Sequence, residues 1–335
     1  MSYASRNSSY LLGSIGAVLQ VFAGWWDVYS HILFGAVDPW WNPAHLTLYF
    51  GVGVVIVAVW RGLRNKSRPP KIGPIRFVNV AGLKLAGVGS VIQIIAGIWN
   101  EVVHHIIKYE PKVAPAHALL VVGMLTINLG MLVGLSVEYG MIKRDILVVD
   151  TLKRALTFIL LVLLFASVWL ATAGSLIFVA RLFHSPQDRW VLSILMSISA
   201  TLVLVPAKRV LPNLGTAGLI SLVFNAFGYF MLVIYLGNSY YVPIGMLPGF
   251  IFDVLVICFS IRLPHHQVTL LTSVIFGSLF YVTYYPYSAY LFPGTVNPLV
   301  VVSLMLGSLF GALIGDKIFN LFSSAVLGET LQYVR

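Results

Sequence analysis

Apolar runs of roughly 20 residues recur from one end of this 335-residue chain to the other. Wound as a helix rising about 1.5 Å per residue, each run crosses about 30 Å of hydrocarbon. A backbone in lipid must satisfy its own N–H and C=O groups, so only helices and closed barrels span a membrane, and barrel strands need only about ten residues. Runs this long exclude the barrel. Composition points the same way: 10% of the residues are charged, where soluble domains carry about a quarter. The expected fold is all-α, a polytopic membrane helical bundle of about ten transmembrane helices.

The spans are expected at 10–33, 43–63, 77–107, 115–141, 152–183, 190–205, 216–236, 244–261, 268–291 and 298–322. A net charge of +10 would suggest nucleic acid in a soluble protein, but here the basic residues fall mostly in short links between apolar runs. That is the pattern of positive-inside topology signals, and no nucleic-acid partner is expected. Arg61, Arg64, Lys66, Arg68, Lys71 and Arg76 form one cluster, and Lys143, Arg144, Lys153 and Arg154 form another, two spans further on. Both are expected in the cytoplasm, as are Lys208 and Arg209 after the sixth span. Ten spans then put both termini in the cytoplasm of a multi-pass cell-membrane protein. Arg181 and Arg189 fall on the expected outer face, against the rule.

The single cysteine, Cys258, leaves no disulfide within the chain and no cysteine-based metal site. Met1 to Tyr10 is short and polar, and no small-residue cleavage site follows the first apolar run, so no removable signal peptide is expected. The first four spans hold Asp27, Glu101 and five of the eight histidines, whereas the later spans are rich in Leu, Val, Phe and Tyr. This contrast divides the chain into 1–145 and 146–335, with the break near Asp145 to Arg154.

The first region reads as a tandem repeat. Gly16, Gln20, Ala23, Gly24, Trp26, Asp27 and His31 line up with Gly89, Gln93, Ala96, Gly97, Trp99, Asn100 and His104. After a turn, Pro43-Ala44-His45 with Gly51 lines up with Pro115-Ala116-His117 with Gly123. Ordered agreement at Gly, Gln, Trp and two His positions points to a duplicated two-helix hairpin. Each copy has two spans, so both copies share one orientation, and both histidine clusters are expected outside.

Asp27 and His31 are four residues apart and share a helix face. His45 follows Asn42-Pro43, a good N-cap followed by a good first helical residue. The hairpin therefore brings one carboxylate and two imidazoles to one external end. Two His with one carboxylate suit an open first-row metal site, and nitrogen-rich sites favour copper in raw affinity, with zinc and iron as alternatives. The plainer alternative is that Asp27 accepts a hydrogen bond from His31 or an indole while His45 caps its helix. Glu101 and His105 repeat the four-residue spacing, with His117 after Pro115, but strict alignment pairs Asp27 with Asn100 and His31 with His104. The second copy is thus a second metal site, a donor of ligands to a shared site, or a structural remnant.

Asp27, three residues, His31, a loop containing Asp38, and Pro43-Ala44-His45 opening the next helix together resemble the copper-binding segment of the C subunit of particulate methane and ammonia monooxygenases. The resemblance is confined to the first hairpin. It implies copper as the metal, Asp27, His31 and His45 as its ligands, and companion membrane subunits as partners.

Three functions compete: a metal-bearing subunit of a membrane oxidase or monooxygenase, a heme-b or quinone-binding anchor of a respiratory complex with His31 and His104 as axial ligands, and a proton- or cation-coupled transporter using Asp27 and Glu101. Elsewhere, Asp316 and Lys317 read as a snorkelling pair, Asp253 as a candidate for a proton or substrate path, and His265-His266 as a solvated turn. The tyrosines from Tyr281 to Tyr290 read as an interfacial belt. The Trp25, Trp26, Trp40 and Trp41 group is either the same belt or the wall of a metal pocket. No phosphate loop, nucleophile elbow or heme-attachment motif occurs.

Overall fold

A computed structural model describes the backbone of residues 4–34, 41–64, 73–103, 115–143, 150–180, 189–230, 246–291 and 298–327. Within these it describes the side chains of 8–28, 30, 41–64, 80–103, 115–143, 150–175, 194–230, 246–264, 266–280 and 301–320. Among the described residues there are ten helices and no strand: α1 (Ala4–Phe34), α2 (Pro43–Arg64), α3 (Gly73–Glu101), α4 (Pro115–Lys143), α5 (Thr151–Ala180), α6 (Arg189–Val210), α7 (Thr216–Tyr229), α8 (Met246–Ser260), α9 (His265–Leu291) and α10 (Pro298–Leu327). Six of them, α1 to α5 and α10, carry stretches long and apolar enough to cross a membrane, and α7, α8 and α9 add shorter apolar stretches. The chain forms two compact units, Met1–Ala171 with Leu321–Arg335, and Thr172–Asn320, so the divisions fall within α5 and α10.

In the first unit α1 to α4 pack as an antiparallel four-helix bundle. The reason is visible in the distribution of side-chain size. The inward stripe of α2 is Ala44, His45, Leu48, Gly51, Val52, Val55, Ala58, Val59 and Gly62, recurring every three or four residues. Its bulky residues, Phe50, Val57 and Trp60 among them, point outward. Small residues inside and large ones outside suit a helix whose solvent is lipid, because close backbone approach then replaces hydrophobic exclusion as the source of packing energy.

The tightest crossings lie at glycines. A Cβ on Gly16 would lie 2.5 Å from the Gly51 carbonyl oxygen, and one on Gly51 would lie 2.8 Å from the Gly16 oxygen and 3.0 Å from the Gln20 nitrogen. Between α3 and α4, a Cβ on Gly89 would lie 2.9 Å from the Gly123 oxygen, and one on Gly123 would lie 2.6 Å from the Gln93 side chain. The ring of Tyr10 fills the space left by Gly134, and Met131 and Met124 fill those beside Gly13 and Gly24, which seats α1 on α4. Asn128 adds a buried cross-link, its Nδ2 donating 3.3 Å to the Ala17 carbonyl.

In the second unit the charged residues pair in ways the linear reading did not foresee. Lys208, expected as a solvated topology signal, is 6% exposed and contacts Asp253 of α8 at 2.6 Å. The other carboxylate oxygen of Asp253 accepts the Gly218 backbone N–H at 2.8 Å, so it caps the first turn of α7 from a neighbouring helix. Asp316 pairs with Arg209 of α6 instead of standing beside Lys317 as a snorkelling pair, and Asn320 joins Arg209 and Asp316. A carboxylate in an apolar bundle is held by the nearest cation in space, not in sequence. His265-His266 open α9 and are not part of a turn, because the Pro264 carbonyl already accepts the Gln267 and Val268 N–H groups. The side chains of the tyrosines from 281 to 290 lie outside the described residues.

The glycine crossings predict contrasting variants. Gly51→Ala forces α1 and α2 apart against backbone atoms and is expected to cost about 1–3 kcal/mol. Gly53→Ala, two residues on, meets nothing within 4 Å. It should instead gain up to about 1 kcal/mol of helix propensity. Thermal unfolding of the two purified variants in detergent reads the difference.

Candidate metal centre

The candidate site lies where α1 nears its C-terminal end and α2 begins. Asn42 caps α2 as its position implies: its Oδ1 accepts the Ala44 N–H at 3.0 Å, while its carbonyl accepts the Leu46 N–H at 3.0 Å. That cap fixes the first turn, which carries His45 inward to 8% exposure. Its Nε2 lies 2.7 Å from Oδ1 of Asp27, across the interface between the two helices. The contact designates Nε2 as the nitrogen that carries or shares a proton and leaves the lone pair of the neutral ring on Nδ1.

The next turn of α2 extends this contact to the second hairpin. Tyr49, four residues after His45, has its ring centroid 6.3 Å from that of His45, and its hydroxyl lies within the electrostatic reach of the Glu101 carboxylate at the end of α3. Gly97 makes room for it, since a Cβ there would sit 3.3 Å from the Tyr49 ring. A polar line therefore runs from Asp27 on α1 through His45 and Tyr49 on α2 to Glu101 on α3. Tyr49 was missed by the sequence reading, although its four-residue spacing from His45 puts the two on one helix face.

The remaining expected site residues are distributed as follows. His31 belongs to the last turn of α1, but its side chain lies outside the described residues. His104 and His105 lie outside them altogether. His117, on the first turn of α4, is half-buried, and Asn100, the aligned counterpart of Asp27, is 7% exposed. Among the described residues no three His, Cys, Asp or Glu side chains are grouped closely enough to hold a metal ion. What is assembled is the Asp27–His45 pair of the expected triad, with Glu101 drawn toward it through Tyr49.

Trp25 faces the protein, its Nε1 donating 3.2 Å to the Leu170 carbonyl of α5. Trp41 is 58% exposed, as a belt residue is, and Trp40 lies outside the described residues. No protein family matches the chain, and no curated protein or solved structure matches it either.

Asp27 and His45 contact each other across the helix interface, so removing either takes a close polar contact from the other. Asp27→Ala and His45→Ala are each expected to cost about 3 kcal/mol. The double variant should cost less than the sum of the two single ones, since both lose the same contact. A double-mutant cycle on thermal stability in detergent checks this, and strict additivity would show that the two side chains act independently.

Proposed function

We propose that this chain is a membrane protein with a metal site at Asp27, His31 and His45, and that the metal is copper. The observation that carries the reading is the 2.7 Å contact between Asp27 and His45 across two helices. The carboxylate and the Nε2 nitrogen already converge, and the proton they share is one that an arriving cation displaces as both become its ligands. His31 follows Asp27 by one helical turn and supplies the second imidazole of the set. Two imidazoles and a carboxylate favour copper over other divalent first-row ions.

The finer architecture belongs to the same proposal. The paired glycine crossings, Gly16 with Gly51 and Gly89 with Gly123, occupy aligned positions and support a duplicated hairpin. The approach of Tyr49 to Glu101 favours the second copy as a contributor to one shared site over an independent second site. Ten spans with cytoplasmic termini put that site on the outer face. By resemblance to the monooxygenase C subunit segment, the chain serves as one subunit of a membrane oxidase or monooxygenase and works beside other membrane subunits.

Metal analysis of the purified protein tests this. Copper is expected at close to stoichiometric content, with nitrogen hyperfine structure in its electron paramagnetic resonance spectrum. The His31→Ala, His45→Ala double variant is expected to lose it. Absence of copper, zinc and iron from the parent protein, or unchanged metal content in the double variant, overturns the proposal.

A further inference from the structure

The junction between α6 and α7 ends in charge and irregular backbone at a level where its neighbours are still apolar helix. The first turn of α7 faces the middle of α8: Gly218 lies against Phe250 and Asp253, and Gly249 lies against Ala217 and Ser221. The two helices are therefore antiparallel, and α8 continues for seven residues past Asp253 to Ser260. That is about 10 Å beyond the start of α7. This overhanging half of α8 exposes Val254 (50%), Ile257 (37%) and then Ile261 (79%), an apolar face of the kind lipid covers. A second neighbour agrees. Phe276 of α9 stacks edge-on against Phe252 at 5.8 Å, yet α9 begins eleven residues earlier, at His265. Its first turn is thus about 16 Å further toward the same side.

At this depth the link 211–215 is not helical. Pro212, Asn213 and Leu214 are exposed, and Gly215 takes a left-handed φ of 87°. The Asn213 carbonyl is occupied by the Lys208 ammonium at 2.8 Å and the Thr216 hydroxyl at 3.0 Å. Among the described residues the N–H groups of Asn213, Leu214 and Gly215 have no protein acceptor. Irregular backbone at membrane depth is stable only when it is buried in protein or lines water. Residues 212–214 are exposed, which leaves water.

We infer that the 211–215 link lines a water-filled vestibule that enters the second unit from the side bearing Arg262 and His266 and ends at the buried Lys208–Asp253 pair. Water there solvates the unpartnered N–H groups and gives protons and small ions a one-sided approach to a charge pair inside the apolar layer. The inference rests on the reading of the chain as a membrane protein and is independent of the metal site.

Nitroxide accessibility in the full chain, reconstituted in liposomes on a Cys258→Ser background, tests it. Labels are introduced one at a time by Leu214→Cys, Val254→Cys and Gln267→Cys, all exposed positions where a label displaces no core. Power saturation with oxygen, which concentrates in lipid, is compared with saturation by a water-soluble nickel chelate. The vestibule requires nickel to dominate at 214 and 267 while oxygen dominates at 254, the α8 position level with the start of α7. Oxygen dominating at both 214 and 254 puts the link in lipid and overturns the inference. Nickel dominating at both puts the whole level outside the bilayer and overturns it equally.

Discussion

A carboxylate buried among apolar helices must recover by contact the solvation it loses, and this chain has only 11 acidic residues with which to do so. The recovery runs across helices. Asp27 of α1 meets His45 of α2, Asp253 of α8 meets Lys208 of α6 and the first turn of α7, and Asp316 of α10 meets Arg209 of α6. Each contact joins residues from different helices, so each also fixes how two helices are set against one another. Removing one partner takes from the other a contact that an apolar medium does not replace.

In the first unit those contacts depend on the glycine crossings. Asp27 reaches His45 because α1 and α2 touch backbone to backbone at Gly16 and Gly51. Tyr49 reaches Glu101 because Gly97 leaves room for its ring. Small residues thus decide which polar residues meet, and the bulky apolar residues displaced to the outside supply the surface that lipid covers. The polar line from Asp27 to Glu101 follows from that packing. It joins the α1–α2 hairpin to the end of α3.

Much of this was legible in the chain itself. The helices are local, and their apolar runs, the Asn42 cap and Pro43 start of α2, and the paired glycines all lie within reach of periodicity and spacing. The pairings of charge were not. Lys208 looked like a solvated topology signal because nothing near it in sequence is acidic, and Asp253 lies 45 positions away. Asp316 looked paired with Lys317 because the two are adjacent, yet neighbours in a helix point about 100° apart, and the cation that meets Asp316 is Arg209 on another helix. Tyr49 was passed over because a tyrosine in an apolar run looks like packing until its hydroxyl is seen against Glu101.

The residues alone therefore settle that this is a chain of long apolar helices, since hydrogen bonding in lipid leaves so little choice for runs of that length. They also settle where acidic and imidazole side chains are concentrated. Which carboxylate meets which cation, and that Tyr49 carries the first hairpin's polar pair to the second, is decided only by the packed helices. A helix sets the direction of a side chain but not what stands opposite it, and that depends on which small residues allow which backbones to touch.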